Sequence, residues 1–469
     1  NPPSINTWIC LKQFWIKQFL KNKIHRQLMP NFFARSGFRK YFANTSWLLG
    51  ERILRMVVSL FVGIYVARYL GPERFGLLSY TLSFVFLFSS LASFGLDDIL
   101  VRELVQNPEK RKDLLGSVFW LKVCGALVMG TAIALVLKYK VEDQQTYWMI
   151  ALITFGFLFQ ATNVVDFYFQ SQVQSKFAVR AQVIQLILTS LFKIYLVLAK
   201  AELVWFAFAL MLDQAVVAVL FLLVYHWQIE WFPFFSFRWI QAKKLMRDAW
   251  PLIFAGMVVS VYMKIDQVML KEMLDAKAVG VYAAAVKLCE AWYFVPSVIT
   301  ASLFPVIISS KQKSDTLYQQ RMQKLYDLMV WVSVTVAIPT TFLADWVIVI
   351  LYGNDFEASA TVLRIYIWAG VFTFLGVASF KWLVTENLQR YSFYVLAIGA
   401  IINIGSNLLL VPIYGINGAA VATFISYGIG SYAGLAFFKK SRQAFRMTTL
   451  SFNPFGVYKR IFQYPLING

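Results

Sequence analysis

Nine basic side chains fall inside stretches of sequence that are otherwise apolar: Arg52, Arg55, Arg68, Lys122, Lys193, Lys264, Lys287, Arg364 and Lys381. Six acids accompany them, Glu51, Asp166, Asp213, Asp266, Glu290 and Asp345. A lone charge at mid-bilayer costs at least ~3 kcal/mol, so such groups pair, snorkel to an interface, or face a protein-lined cavity. Arg68, Arg364 and Lys381 stand near segment ends, where snorkelling is expected. At the 1.5 Å rise of a helix, Arg55 and Lys122 lie about 12 Å, and Lys287 about 14 Å, from an end of their segments, near the midplane of a core of roughly 30 Å. Glu51 and Arg55 are four residues apart and Lys287 and Glu290 three, so each couple shares a helix face and is expected to pair, a role that packing alone could require. Lys122, Lys193 and Arg52 have no acid on their own face. The sequence therefore predicts a surplus of cations around a cavity, which suits an anion and above all a phosphate or pyrophosphate.

The acids suggest a second chemistry. By the same rise Asp213 lies about 15 Å into its segment and Asp266 about 24 Å, positions where a carboxylate could take up a proton or sodium ion during a transport cycle. Bond-making chemistry has little material here. Histidine occurs only as His25 and His226, and Cys10, Cys124 and Cys289 form no ligand spacing, so neither a metal centre nor a Ser-His-Asp arrangement is expected. No cofactor is expected beyond a coupling proton or sodium ion.

The elements that position these groups are membrane helices. The 469 residues are 59% hydrophobic and 14% charged, with a mean hydropathy of +0.61, whereas soluble domains carry roughly a quarter charged residues. Apolar runs between Gly/Pro turns and charged clusters predict an all-α polytopic membrane protein of about twelve helices, near 47–70, 76–96, 114–137, 146–171, 178–199, 203–226, 249–271, 278–308, 322–351, 360–384, 390–412 and 418–438. Pro296, Pro305 and Pro339 predict kinks in or near the long eighth and ninth helices.

The net charge of +20 is mostly topology. With the N-terminus inside, 29 Lys and Arg lie on the cytoplasmic side against six opposite, which predicts cytoplasmic termini and an even helix count. Attraction to anionic membrane lipids is the secondary reading of the same charge, and nucleic acid is not an expected partner. Leu70-Gly71 followed by Gly76-Leu77 matches Leu274-Asp275 followed by Gly280-Val281 at an offset of 204, which suggests either shared turn chemistry or parallel repeats. As repeats, they divide the chain into a six-helix lobe at 41–226, a basic cytoplasmic linker at 227–239 and a second six-helix lobe at 240–440. The basic segment 1–40 reads as a cytoplasmic tail held to the membrane by Trp8, Ile9, Phe14 and Trp15, or over 1–28 as an overlong start, since the first methionine is Met29. Residues 441–469 form a basic cytoplasmic tail.

Five stretches carry a family resemblance. Tyr41–Arg52 (YFANTSWLLGER), Ala67–Gly76 (ARYLGPERFG), Met263–Met269 (MKIDQVM), Glu290–Pro296 (EAWYFVP) and Tyr414–Ala420 (YGINGAA) resemble, in order, the bacterial polysaccharide transporters. These are the O-antigen (Wzx-type) flippases of the multidrug/oligosaccharidyl-lipid/polysaccharide exporter superfamily. The resemblance covers roughly 40–440 and implies a MATE-like pair of six-helix lobes around a cationic cavity that opens alternately to either side. It implies that undecaprenyl-pyrophosphate-linked oligosaccharides are flipped across the bacterial inner membrane for O-antigen, lipopolysaccharide or other surface polysaccharide assembly, alongside other assembly proteins. On that basis Arg52, Arg55, Lys122, Lys193, Lys264 and Lys287 would hold pyrophosphate or acidic sugars while the lipid tail stays in the bilayer between the lobes. The related lipid II flippases have a sodium site on helices seven, eleven and twelve, and Asn403, Asn407 and Thr423 have a similar layout. Asn407 stands where a carboxylate is expected, which leaves interhelical hydrogen bonding as the competing role. Three other readings remain: a multidrug exporter of the same fold, which would want a more acidic cavity, a membrane glycan polymerase or ligase, which would want a large outer loop with acid/base groups, and a structural scaffold for the assembly complex, which would tolerate neutralising the buried bases.

Overall fold

The computed structural model describes residues 36–140 and 143–463; the expected membrane attachment of residues 1–35 lies outside them. It is all-α among these residues. Ten segments are long and apolar enough to span a membrane, and two of them are broken by a glycine, so that their limbs make twelve passes.

The first, α1 (Ser36–Leu87), turns at Gly71, whose φ of 70° and ψ of 171° suit glycine, and restarts at Pro72. Its second limb continues through α2 (Ser89–Ser93) and α3 (Asp97–Gln106), ten residues beyond the end expected from hydropathy. Then come α4 (Arg111–Tyr139), α5 (Gln144–Phe159) with α6 (Val164–Ser171), α7 (Lys176–Leu198) and α8 (Leu203–Gln228). The second set is α9 (Trp239–Met273), α10 (Ala276–Glu290) with α11 (Val295–Lys313), α12 (Asp315–Tyr352), α13 (Ser359–Thr385) and α14 (Gln389–Ser431), the last broken at Gly415. As Pro296 suggests, the eighth pass is interrupted, at 291–294, with the proline in the first turn of α11. Asp275 caps α10 by accepting from the Ala278 amide at 2.7 Å. It stands 204 residues after Gly71, so the two related hairpins solve one turn with different residues.

Those hairpins pack against each other. A Cβ on Gly76 would overlap the Ala276 carbonyl and stand 2.6 Å from the Gly280 nitrogen. A Cβ on Gly280 would overlap the Pro72 carbonyl and stand 2.9 Å from the Gly76 nitrogen. The offset of 204 therefore relates the contacts as well as the residues, as a two-fold axis would.

The linker is folded back rather than free. Gly116 admits the Pro233 carbonyl, Trp120 donates to the Phe234 carbonyl at 2.8 Å, and Phe119 packs edge-on against Phe232 and Phe234. Lys112, 2.8 Å away, and Arg111 pair with Glu230 and hold its carboxyl below the ordinary value. After α14 come two short helices, α15 (Arg442–Ser451) and α16 (Pro454–Gln463). Arg460 grips the buried Asp327 of α12 through two bonds of 2.8 and 3.0 Å, and Gln323 donates to the Met447 carbonyl at 2.9 Å.

Candidate functional site

Helices from both halves enclose a cavity of about 750 Å³. Its walls carry Glu51 and Arg55 of α1, Asp166 of α6, Gln182, Gln185 and Lys193 of α7, Asp213 of α8, Lys264 of α9, and Lys287 and Glu290 of α10. Arg55 pairs with Glu51 at 2.5 Å, as their spacing predicts, and reaches Gln185 at 3.4 Å. Gln185 passes its own amide to Asp213 at 2.8 Å, and Asp213 is paired with Lys193. One polar chain thus ties α1, α7 and α8 together.

Several expectations need correction. Glu290 takes Lys264 at 3.0 Å, not Lys287, because the facing helix offers an ammonium in better register than the same-helix neighbour. Lys122 is buried but does not line the cavity; Asp97, 2.5 Å away at the start of α3, neutralises it under the ring of Phe167. Arg52 is exposed and lies outside the lining, because one residue turns the helix by about 100° and carries it off the Glu51–Arg55 face. The expected cationic surplus is absent from the lining: four bases, Arg55, Lys193, Lys264 and Lys287, meet four acids, Glu51, Asp166, Asp213 and Glu290. Near helix ends, Arg68 donates to the Ile350 carbonyl at 3.3 Å and Arg364 pairs with Asp345.

Within this balanced set Lys287 is distinctive. Among the described residues no acid lies within ion-pair distance of it and it makes no hydrogen bond. Its ammonium rests against Gly63 of α1, where a Cβ would overlap it and stand 2.7 Å from Cε, and the Phe75 ring lies 6.0 Å away. Three of the cavity's cations are occupied, and this one faces the cavity unengaged.

Asp266 lies elsewhere, in a closed polar cluster between α9, α10 and α14. It accepts from Asn407 at 2.8 Å, from Tyr282 at 2.9 Å and from Thr423 at 2.5 Å. Asn403 donates to Ser426 at 3.2 Å and its carbonyl accepts from Asn407 at 2.9 Å. Asp266, Asn403, Asn407 and Thr423 are thus brought together, and the Asn407 Oδ1 is buried without a donor.

The two seams between the halves differ. Along the second limb of α1, α2, α3 and α9, a ladder runs end to end: Arg102–Asp248 at 3.2 Å, Lys244–Glu103 at 3.1 Å, Ser89–Ser260 at 3.4 Å, Ser83–Gln267 at 2.8 Å and Tyr80–Glu272 at 3.3 Å. Along the other seam, close contacts lie toward the lysine-poor end, where Gly76, just past the turn of α1, meets Gly280 of α10 and Gly63 of the first limb meets Lys287. Toward the basic end no hydrogen bond or ion pair joins residues 47–62 to 295–313, and Gly50 has open space beside it.

The arrangement is thus two helical halves around a polar cavity at the depth of the membrane spans. Among solved structures, the fold matches a lipid II flippase, MurJ, in an inward closed conformation, with a TM-score of 0.66 and 14% identity over 90% of this chain and 96% of that one. It also matches an inward-facing multidrug resistance MATE family transporter of the MOP superfamily, with a TM-score of 0.64 and 14% identity over 85% of this chain and 96% of that one. A probable flippase, AglR, of the archaeon Haloferax volcanii is 24% identical over 223 residues, 46% of this chain and 43% of the relative's length. The polysaccharide biosynthesis protein family matches residues 41–312, and the chain belongs to that family. Fold and family together make it a multi-pass membrane protein of the polysaccharide biosynthesis family.

Proposed function

We propose that the protein flips undecaprenyl-pyrophosphate-linked oligosaccharide units from the cytoplasmic to the opposite leaflet of the bacterial inner membrane, for O-antigen or another surface polysaccharide. The observation that carries this reading is Lys287, an unengaged cation deep in a cavity whose other cations have acid partners. A phosphate oxygen supplies the partner it lacks, and an ammonium removed from water binds phosphate far more strongly than an exposed one. The seam left unlatched toward the basic end offers the polyprenyl chain a lateral path, so that only the polar head enters. On this reading the basic end and both termini are cytoplasmic, as the 29-to-6 distribution of Lys and Arg supports.

Coupling to a proton or sodium gradient is assigned to Asp266 with Asn403, Asn407 and Thr423. The Asn407 oxygen without a donor supports this, since a cation would satisfy it. The balanced lining favours one rival, export of a small molecule of the kind handled by multidrug transporters. The test is to delete the gene in the producing cell and follow lipid-linked repeat units. Accumulation on the cytoplasmic face, rescued by wild type and not by a well-folded Lys287→Gln protein, supports flipping; no accumulation favours the exporter.

A further inference from the structure

The charges of the cavity are sorted along its length. Lys193, Lys264 and Lys287 share one region with Asp213 and Glu290, which leaves one positive charge over. At the helical rise Lys193 is about 8 Å, Lys264 about 14 Å and Lys287 about 17 Å from the lysine-poor ends of α7, α9 and α10. Toward the basic end Arg55 stands against Glu51 and Asp166, which leaves one negative charge over. Asp166 is only about 8 Å from the basic end of α6.

Asp166 is the acid of the lining without a basic partner. Its Oδ2 accepts from Gln170 at 3.0 Å and from Gln182 at 3.4 Å, while Oδ1 is buried and has no donor among the described residues. The same lining carries six amides, Gln160, Asn163, Gln182, Gln185, Gln214 and Gln267, of which Gln182 bonds Asp166 directly. A carboxylate oxygen lacking a donor carries the desolvation cost of that group unless a ligand or a turn of the side chain supplies one. Carboxylates beside amides offer the acceptors and donors that the hydroxyls and acylamino groups of a sugar require. A phosphate is repelled by the same group.

We infer that Asp166, with Gln170 and Gln182 orienting it, forms a glycan subsite distinct from the phosphate subsite at Lys287. The cargo then lies with its phosphates toward the lysine-poor end and the donating face of a sugar against the Asp166 carboxylate. This inference rests on the proposed function. It adds the direction in which the cargo lies and the residue that distinguishes a glycosylated lipid from a bare one.

Two probes test it on the full chain in lipid nanodiscs: radiolabelled undecaprenyl pyrophosphate, and the same lipid carrying a single N-acetylglucosamine. Asp166→Asn should weaken binding of the glycosylated probe about tenfold, the lower range for a hydrogen bond to a charged group, and leave the bare lipid unchanged. Gln182→Ala should give a smaller loss of the same pattern, and stands in if Asp166→Asn does not fold. Lys287→Gln should weaken both probes. Equal loss of both probes on Asp166→Asn, or loss of neither, overturns the glycan subsite while the phosphate reading stands. If neither probe binds wild type, the proposed function itself fails.

Discussion

Gly280→Ala is the most informative single perturbation of the scaffold. The new Cβ would overlap the Pro72 carbonyl oxygen and stand 2.8 Å from its carbon, where ordinary contact begins at 3.4 Å. The obstacle is backbone, so no rotamer change relieves it. The overlap with the oxygen means that the two hairpins must part by more than about 1 Å, and overpacking of this kind costs roughly 1–3 kcal/mol. If closure of this end is one side of a two-state equilibrium, that cost shifts the population roughly 5- to 150-fold toward the open side. The assay is pulsed electron resonance between spin labels on cysteines at the exposed Arg74 and Lys277 positions, with the native cysteines replaced. Gly280→Ala should move the distance distribution outward. Gly76→Ala should do the same, because its contact is the reciprocal one. Gly405→Ala, which has open space beside it, is the control. Distributions that coincide for Gly280→Ala and Gly405→Ala would refute the reasoning.

Other expectations follow from the same structure. Arg460→Ala leaves Asp327, 1% exposed, without its cation, and should cost about 3–5 kcal/mol, read as a lower melting temperature and faster proteolysis of α15 and α16. Lys193→Met should destabilise the protein alone, and Lys193→Met with Asp213→Asn should recover part of the loss in a double-mutant cycle; strict additivity would deny the pair. Lys112 and Arg111 hold the Glu230 carboxyl below its unfolded value, so this contribution is present above that value and is lost as pH falls through the folded one. Cleavage within 229–238 should therefore accelerate once pH falls below the ordinary glutamate range, and Glu230→Gln should abolish that pH dependence. Asp266→Asn should remove the response of transport to an imposed proton or sodium gradient; an unchanged response would take coupling away from that cluster.

What could be read in the sequence was what repeats or runs along one helix. The spans follow from apolar length, and the Glu51–Arg55 pair from a spacing of four. The Gly76 and Gly280 match marked a repeated hairpin, but a turn signal could not say that the two backbones approach one another. Partnerships across helices were hidden. Lys193 finds Asp213 twenty residues on, Lys264 finds Glu290, and Lys122 finds Asp97, each through packing registers that no local pattern encodes. Asp97 escaped notice because hydropathy ended its helix at 96, while the chain continues helically to Gln106. Counting intramembrane bases consequently overstated the charge of the cavity. The informative quantity was which base lacks a partner, and that needed coordinates. Asp166 was visible as a membrane carboxylate, but Gln182, which bonds it, stands on another helix sixteen residues on.

The central claim is tested most directly by reconstituting the purified chain into liposomes and measuring transbilayer movement of a fluorescent undecaprenyl-pyrophosphate-linked oligosaccharide by its accessibility to an external quencher. Wild type should expose the probe well above protein-free vesicles, and Lys287→Gln should fall back toward them. No movement above protein-free vesicles, or equal movement by a Lys287→Gln protein, would contradict the account.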